Sequence, residues 1–202
     1  LLPEEPKNLN IVTASSAYEL EVLGRVYDAW GMYAVDPVTL QDIPWMAESW
    51  DIGTWEPAPG KKGTVITWHI RKGIKWQDGM PFTSADVKFT VEFMKNNEVP
   101  LYQSRWQDIV KVETPDQYTA KIYFSTQSYW HLYNADFPWL PKHIWQDVKD
   151  FNNFQPWLEP HPTVKGLTKA IGTGPFILKE YKPGEYVRLV KNPYYWALQP
   201  AK

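Results

Sequence analysis

The first hydrophobic pattern in the chain is typical of an amphipathic helix. Directly after the capping-box sequence Ser16-Ala-Tyr-Glu19, apolar side chains recur every four residues, at Tyr18, Val22, Val26 and Trp30. In a capping box the Ser hydroxyl accepts from the third amide of the helix, and the Glu side chain reaches back to the amide of the Ser. The apolar stripe behind this cap predicts a helix that runs to about Trp30 or Tyr33.

Alternating patterns further along the chain predict β-strands. Residues 64–71 alternate apolar with more polar side chains, and the apolar set is Ile66, Trp68 and Ile70. Period two with β-branched and aromatic residues is typical of a half-buried strand. Weaker patterns with turn residues between them predict a short strand within 45–54 and two hairpins, over 109–124 and 176–191.

A second helix and several loops complete the predicted elements. Residues 84–96 place Val87, Val91 and Met94 on one face, which predicts the helix. Gly and Pro interrupt 31–44, and 150–168 is rich in Pro and Asn without periodicity, so we expect loops in both segments. Helices and hairpins together predict a mixed α and β chain, and they leave α/β and α+β architectures both open.

The composition narrows the class of protein. With 202 residues the chain is long enough to bury a substantial core, and 44% hydrophobic with 22% charged residues is ordinary for a globular protein. The formal net charge of -2 gives no electrostatic reason to expect nucleic acid or an anionic membrane as a partner. The absence of Cys excludes disulfides, thiolate metal sites and Cys nucleophiles. Twelve Trp and twelve Tyr are unusual, and they supply stacking surfaces as well as core bulk.

No pattern of catalytic or metal-binding residues stands out. The spacing that puts two ligands on one helical face is found for none of the four His, which are His69, His131, His143 and His161. We therefore expect no metal site and no cofactor. Gly172-Thr-Gly174 resembles a phosphate loop, but Pro175 follows where a helix amide would be needed, so we interpret it as a tight turn. Among the carboxylates near aromatic residues, Asp78 and Asp86 have structural explanations, in a turn and in a first helical turn.

Aromatic residues among polar neighbours are candidates for a ligand-binding groove. Tyr102 and Trp106 follow the predicted second helix in a polar, loop-like segment, and Trp130 follows Ser125-Thr-Gln-Ser128. Aromatic faces beside hydroxyls and amides bind peptides or sugars by stacking and a few hydrogen bonds. A role in the core or in packing between lobes is the alternative interpretation for each of these three residues.

Blocks of sequence from Trp45 onward resemble one protein family. They occur in order along nearly the whole chain: Trp45-Met-Ala-Glu-Ser-Trp50, Ile66-Thr-Trp-His-Ile-Arg-Lys-Gly-Ile-Lys-Trp-Gln-Asp-Gly-Met-Pro-Phe-Thr-Ser-Ala-Asp-Val87, Leu140-Pro-Lys-His143, Gly172-Thr-Gly-Pro-Phe176, Lys182-Pro-Gly184 and Lys191-Asn-Pro-Tyr-Tyr-Trp196. These blocks resemble the family 5 extracellular solute-binding proteins, which are the peptide, nickel and oligosaccharide receptors of ABC importers. Trp76-Gln77, Ser84-Ala85 and Lys191 depart from the family pattern in ways compatible with structural roles.

The resemblance implies a fold and a domain organisation. The implied fold is periplasmic binding protein-like II, with residues 1–202 forming most of lobe I and about 45–165 a subdomain within it. Family members are two-lobed and much longer, so we expect lobe II and the C-terminal return to lobe I to be absent from this chain. Because the family encloses its ligand between the lobes, this chain should hold half of a binding site.

The resemblance also implies a function without catalysis. We expect an extracytoplasmic receptor that delivers a peptide or an oligosaccharide to the permease subunits of an ABC importer. Contact with the membrane would come only through the permease or through a lipid anchor outside this chain. By the family's layout, Ser15, Ser16 and Tyr18 at the N-terminus of the first helix should face the ligand, where the helix would attract a carboxylate. A carbohydrate-active enzyme or carbohydrate-binding module is the alternative, and a scaffold protein without a small ligand is the third.

Overall fold

The computed structural model describes residues 4–28 and 31–198. The chain divides into two compact units. The first unit combines Leu1–Ala29, Gly73–Phe82 and His143–Lys202, and the second unit combines Trp30–Lys72 and Thr83–Lys142. Each unit contains helices and antiparallel strands, which confirms the prediction of a mixed α and β chain.

The second unit is built on a four-stranded antiparallel sheet. Its described residues form the strands β1 (Tyr33–Val35), β2 (Asp42–Pro44), β3 (Ala47–Trp55), β4 (Gly63–Ile70), β5 (Ile109–Asp116) and β6 (Thr119–Phe124). The order in the sheet is β3-β4-β6-β5, and β1 pairs with β2 apart from it. On β4 the predicted apolar set Ile66, Trp68 and Ile70 is at most 2% exposed. The period-two pattern therefore identified one of the two inner strands and its buried face.

Helix α1 (Ala17–Val26) of the first unit begins directly after its predicted cap, Ser16, and helix α2 (Ser84–Asn96) of the second has the predicted bounds. At the start of α2 the amide of Thr83 donates to the Asp86 carboxylate over 2.9 Å. On its inner face Val87, Val91 and Met94 are all buried. Helix α1 ends at Val26, earlier than predicted. The predicted end at Tyr33 is wrong, since that residue belongs to β1. The predicted alternative end at Trp30 lies outside the described residues.

Three further helices were not predicted, and each has only four residues. They are α3 (Gln103–Trp106), preceded by a 3-10 turn at Pro100–Tyr102, α4 (His131–Asn134) and α5 (Lys142–Trp145). The loop-like interpretation of 102–106 was wrong, because one turn of helix is too short to show an i, i+4 apolar stripe. Across the described part of the chain, no helix is long and apolar enough to cross a membrane.

The first unit contains the second predicted hairpin, β7 (Phe176–Lys182) with β8 (Tyr186–Lys191), followed by a 3-10 turn at Trp196–Leu198. The segment before β7 runs against the end of α1. A Cβ atom at Gly172 would lie 2.2 Å from the carbonyl oxygen of Val26. The amide of Gly174 donates to that same oxygen over 2.9 Å. The Gly-Thr-Gly sequence is therefore a close joint between two segments, and the chain bends there before it enters β7.

Residues 150–168 are irregular, as the sequence predicts. They are not only a surface loop, because Phe154, Trp157 and His161 are buried. The side chain of Asn10 donates to the carbonyl oxygens of Phe151 and Phe154, over 2.8 and 3.0 Å. This part of the first unit is thus held by its buried side chains and by hydrogen bonds from the side chain of Asn10 to its backbone.

Candidate functional site

A cleft lined by aromatic side chains lies on the second unit. It has a volume of about 950 Å³, and its main apolar lining comes from Tyr33, Trp50, Ile52, Tyr129, Trp130 and Tyr133. We call it the aromatic cleft. Clefts of this size that combine aromatic walls with a few polar groups are typical of small-ligand sites.

The buried indole of Trp68 supports the floor of the aromatic cleft. The ring of Tyr33 stacks on it with centroids 6.2 Å apart, and Trp50 meets it edge-on at 6.0 Å. The indole N–H of Trp68 donates to the carbonyl oxygen of Ala135, 3.1 Å away, so its own orientation is fixed. A strand residue that sequence analysis assigned to the core thus positions two side chains of the site.

The rim of the aromatic cleft is formed by α4 and the residues before it. Trp130 is 71% exposed and meets Tyr133 edge-on, with ring centroids 6.5 Å apart. Ser128 accepts from the amide of Trp130 over 3.2 Å, and the amide side chain of Gln127 donates to the Thr54 hydroxyl over 3.3 Å. Exposed aromatic faces beside hydroxyls and amides can bind a ligand that has both apolar and polar groups.

A buried carboxyl group lies next to this cleft. Both oxygens of Asp136 accept from the amide of Met32, each over 3.1 Å. Burial raises the pKa of Asp136 to about 7, although hydrogen bonds from backbone amides and the charge of Arg105 lower it. A Cβ atom at Gly31 would lie 2.5 Å from the Asp136 oxygens, so this turn requires a glycine. Asp136 therefore anchors the start of β1, which carries Tyr33.

Of the predicted ligand-binding residues in this unit, Trp130 alone lines the aromatic cleft. The indole N–H of Trp106 donates to the carbonyl oxygen of Val99 over 2.9 Å, which holds α3 against the preceding turn. Tyr102 packs beside Phe137, with ring centroids 6.4 Å apart, and burial raises its pKa to about 12. Both contacts are structural, and a ligand contact for either residue stays a prediction.

The other three predicted residues, Ser15, Ser16 and Tyr18, lie at the start of α1 in the first unit. The two Ser are exposed and Tyr18 is half-buried. The amides of Ser15 and Ser16 each donate to the Glu19 carboxylate over 3.1 Å. The Ser16 hydroxyl accepts from the Glu19 amide, which completes the predicted capping box. A carboxylate of the chain itself thus occupies these donors, and a ligand contact here stays a prediction.

One cluster of ionisable side chains in the first unit escaped the sequence analysis. The Nε2 atoms of His143 and His161 lie 2.6 and 3.1 Å from the same Asp78 oxygen. His143 and His161 follow Asp78 by 65 and 83 positions in the sequence. Spacing rules for metal sites look for ligands on one helix, so they do not find this cluster. Burial by itself raises the pKa of Asp78, but the hydrogen bonds from His143, Met80 and His161 outweigh it, and the pKa is lowered.

The cluster could supply three metal ligands by distance alone, but its hydrogen bonds do not fit a metal. His161 Nδ1 accepts from the amides of Val164 and Thr163, over 2.9 and 3.2 Å. Since one ring nitrogen of a neutral imidazole accepts and the other carries the proton, Nε2 is the protonated one here. It donates to Asp78 and has no lone pair for a metal. The cluster is a hydrogen-bonded junction.

Comparison with known proteins identifies the family. Residues 42–202 match the model of the bacterial extracellular solute-binding proteins, family 5 Middle. The chain belongs to this family. The match confirms the resemblance seen in the sequence blocks, all of which lie within the matched range.

Individual relatives agree with this assignment. The peptidoglycan-binding protein YepA of Agrobacterium fabrum is 26% identical over 188 residues, which are 91% of this chain and 27% of that protein. NikZ of Campylobacter jejuni, in complex with Ni(L-His), superimposes with a TM-score of 0.72 at 27% identity, over 96% of this chain and 35% of NikZ. The oligopeptide-binding protein AppA of Bacillus subtilis, in complex with a nonapeptide, superimposes with a TM-score of 0.70 at 25% identity, over 96% of this chain and 36% of AppA.

These matches show the extent of the fold that the chain represents. The chain spans 21% and 27% of the length of the first two curated relatives that it matches. It is therefore part of a larger periplasmic binding protein-like fold.

The family's sequence blocks lie at structural joints of this chain. In the Trp-Gln-Asp-Gly block, Gln77 and Asp78 bind backbone and His partners within the first unit. In the last block the side chain of Asn192 donates to the carbonyl oxygen of Gly174 over 2.8 Å. These contacts are structural, and they say little about the solute.

Proposed function

We propose that this chain is part of a receptor that binds a peptide-type solute outside the cytoplasm and delivers it to the permease of an ABC importer. The observation that carries the proposal is the family 5 match over residues 42–202. The superpositions on NikZ and AppA, which extend over nearly all of the chain, support it.

The class of solute is inferred from these relatives. AppA holds a nonapeptide and NikZ holds a nickel complex of an amino acid. Peptides and amino-acid derivatives combine an apolar part with amide and carboxylate groups, which suits the walls and rim of the aromatic cleft. The many Trp residues suggest an oligosaccharide, but neither AppA nor NikZ holds one, so peptides are our choice.

The mechanism we propose involves no catalysis. A solute would bind to exposed aromatic side chains and backbone groups of this part of the protein, and a second lobe outside this chain would close over it. Trp130 is our first candidate for stacking, and Ser15, Ser16 and Tyr18 are candidates on the first unit. Residues 1–202 would form most of lobe I, and attachment to the membrane would come from the permease or a lipid anchor.

Calorimetric titration of the intact protein that carries this chain tests the proposal. We expect peptides of three to nine residues to bind with about micromolar affinity or better, equal to about -8 kcal/mol, and neutral oligosaccharides not to bind. Trp130→Ala should weaken peptide binding about 10-fold, because stacking on an exposed indole is lost. Tyr186→Ala, at an exposed aromatic of the first unit, is the matched control and should bind like the wild type.

The alternative, a carbohydrate-active enzyme, makes the opposite prediction. It requires oligosaccharide turnover that depends on a carboxylate pair. Two of the carboxylates near aromatic residues have structural partners. Asp86, in the first turn of α2, accepts from the amide of Thr83, and Asp78 accepts from two His. Oligosaccharide hydrolysis abolished by a single carboxylate substitution would overturn the proposed receptor.

A further inference from the structure

Arg105 of α3 lies beside the aromatic cleft of the second unit. Its guanidinium stacks over the ring of Tyr133, 4.3 Å from the centroid, and Tyr133 is one wall of the cleft. One Nη1 donor binds the backbone carbonyl oxygen of Asp136. Tyr133 of α4 and the backbone at Asp136, just after α4, thus hold the planar cation in one orientation at the edge of the cleft.

Within residues 4–28 and 31–198, this guanidinium has the Asp136 carbonyl as its one hydrogen-bond acceptor, and no carboxylate lies within ion-pair distance. A guanidinium has five N–H donors in a plane, so most of them are unused. Partly buried cations normally pair with an anion, because removal from water is otherwise costly. Arg105 is thus a preoriented donor without its expected counter-ion.

The nearby carboxyl group of Asp136 does not take that role. Its oxygens are bound to the amide of Met32, and burial raises its pKa to about 7, so it is partly protonated at neutral pH. The positive charge of Arg105 is therefore only partly compensated from within the second unit.

Two phenol groups lie near the Arg105 guanidinium. Tyr33 and Tyr133 line the cleft, and Tyr33 interacts electrostatically with both Arg105 and Tyr133. Burial raises the pKa of Tyr33 to about 12, so its hydroxyl keeps its proton and can donate. A guanidinium fork next to phenol donors is chemistry that recognises a carboxylate.

We propose that Arg105 binds the terminal carboxylate of the solute at the edge of the aromatic cleft, with Tyr33 and Tyr133 beside it. The proposal rests on the proposed function, and it adds that the solute is a free acid whose neighbouring side chain lies against the aromatic walls. Arg105 was not among the candidates from the sequence, where one Arg between aromatic residues carries no signal.

The test compares three peptides in calorimetric titrations of the intact protein: Ala-Phe-Ala with a free C-terminus, its C-terminal amide, and Ala-Glu-Ala amide. Wild-type protein should bind the free acid about 10- to 100-fold more tightly than the amide, as a charge-assisted hydrogen-bonded pair predicts. Arg105→Gln should remove this preference, so that the free acid and the amide bind equally. Arg105→Lys should keep part of it, and Lys88→Gln, at a half-exposed cation on α2, should keep all of it.

Each outcome has a distinct meaning. Equal binding of free acid and amide by wild-type protein overturns the role of Arg105 and leaves the peptide receptor standing, and this comparison needs no folded variant. Restored affinity for Ala-Glu-Ala amide, lost in Arg105→Gln, would assign the site to an acidic side chain and overturn the terminal-carboxylate assignment. Binding of none of the three by wild-type protein would overturn the proposed function and this inference together.

Discussion

The side chain of Gln77 donates to the carbonyl oxygen of Val26 over 2.9 Å, although 51 positions separate the two residues. The same amide group donates to Phe176, 2.7 Å away, and its oxygen accepts from the amide of Gly172 at 3.1 Å. One buried side chain thus joins α1, the segment 73–82 and the start of β7 within the first unit.

Gln77→Leu should destabilise the chain by about 3 kcal/mol, because buried backbone groups lose their partners and cannot reach water. Urea unfolding followed by circular dichroism measures the loss. Gln107→Leu makes the same change at an exposed glutamine. It is the control and should change stability by less than about 0.5 kcal/mol. Similar small effects of both substitutions would contradict the assigned role of Gln77.

Gly172→Ala should be one of the most damaging small substitutions in the chain. The new Cβ atom would lie 2.2 Å from the carbonyl oxygen of Val26, and relief requires α1 and the segment before β7 to separate. We expect a loss of about 3 kcal/mol, as in severe overpacking. Gly60→Ala meets no atom within 4 Å and has only a left-handed backbone angle to tolerate, so it should cost about 1 kcal/mol. The reverse order in thermal melts would refute the close approach.

Asp136 should make stability depend on pH. Burial raises its pKa from 3.8 to about 7 in the folded chain. Between these values the folded state binds more protons than the unfolded state, so stability falls as the pH rises from about 4 to about 7. Asp136→Asn keeps an acceptor for the amide of Met32 and should flatten this decline, whereas the exposed Asp147→Asn should leave it in place. An unchanged slope in Asp136→Asn would show that another group titrates.

Zn²⁺ should not stabilise the chain, even though Asp78, His143 and His161 lie close together. The proton on Nε2 of His161 is set by two backbone amides that donate to Nδ1. Thermal melts with and without a molar excess of Zn²⁺ should therefore coincide at neutral pH. A rise of several degrees that His161→Gln abolishes would establish a metal site and refute the hydrogen-bonded junction.

The regular elements of the fold were largely predictable from sequence. Helix α2 has both predicted ends because Thr83 and Asp86 form its start and the apolar spacing continues to Met94. The buried face of β4 followed from strict alternation. Strands β1 and β2 were missed because three-residue strands among Gly and Pro show no period.

The candidate site was much less predictable. Trp130 was found from its polar neighbours, but Trp50 and Tyr33 come to the same cleft only through the sheet and the buried Trp68. Arg105 and Asp136 acquire their properties from burial and from each other, which no local pattern encodes. Contacts between residues far apart in sequence therefore decide the site.

Native mass spectrometry of the intact protein, after incubation with a peptide pool, tests the central claim most directly. We predict that the protein retains one peptide per molecule and that the released peptide has its original mass, because a receptor binds without changing its solute. Recovery of shortened peptides, or retention of none of them, would contradict the account.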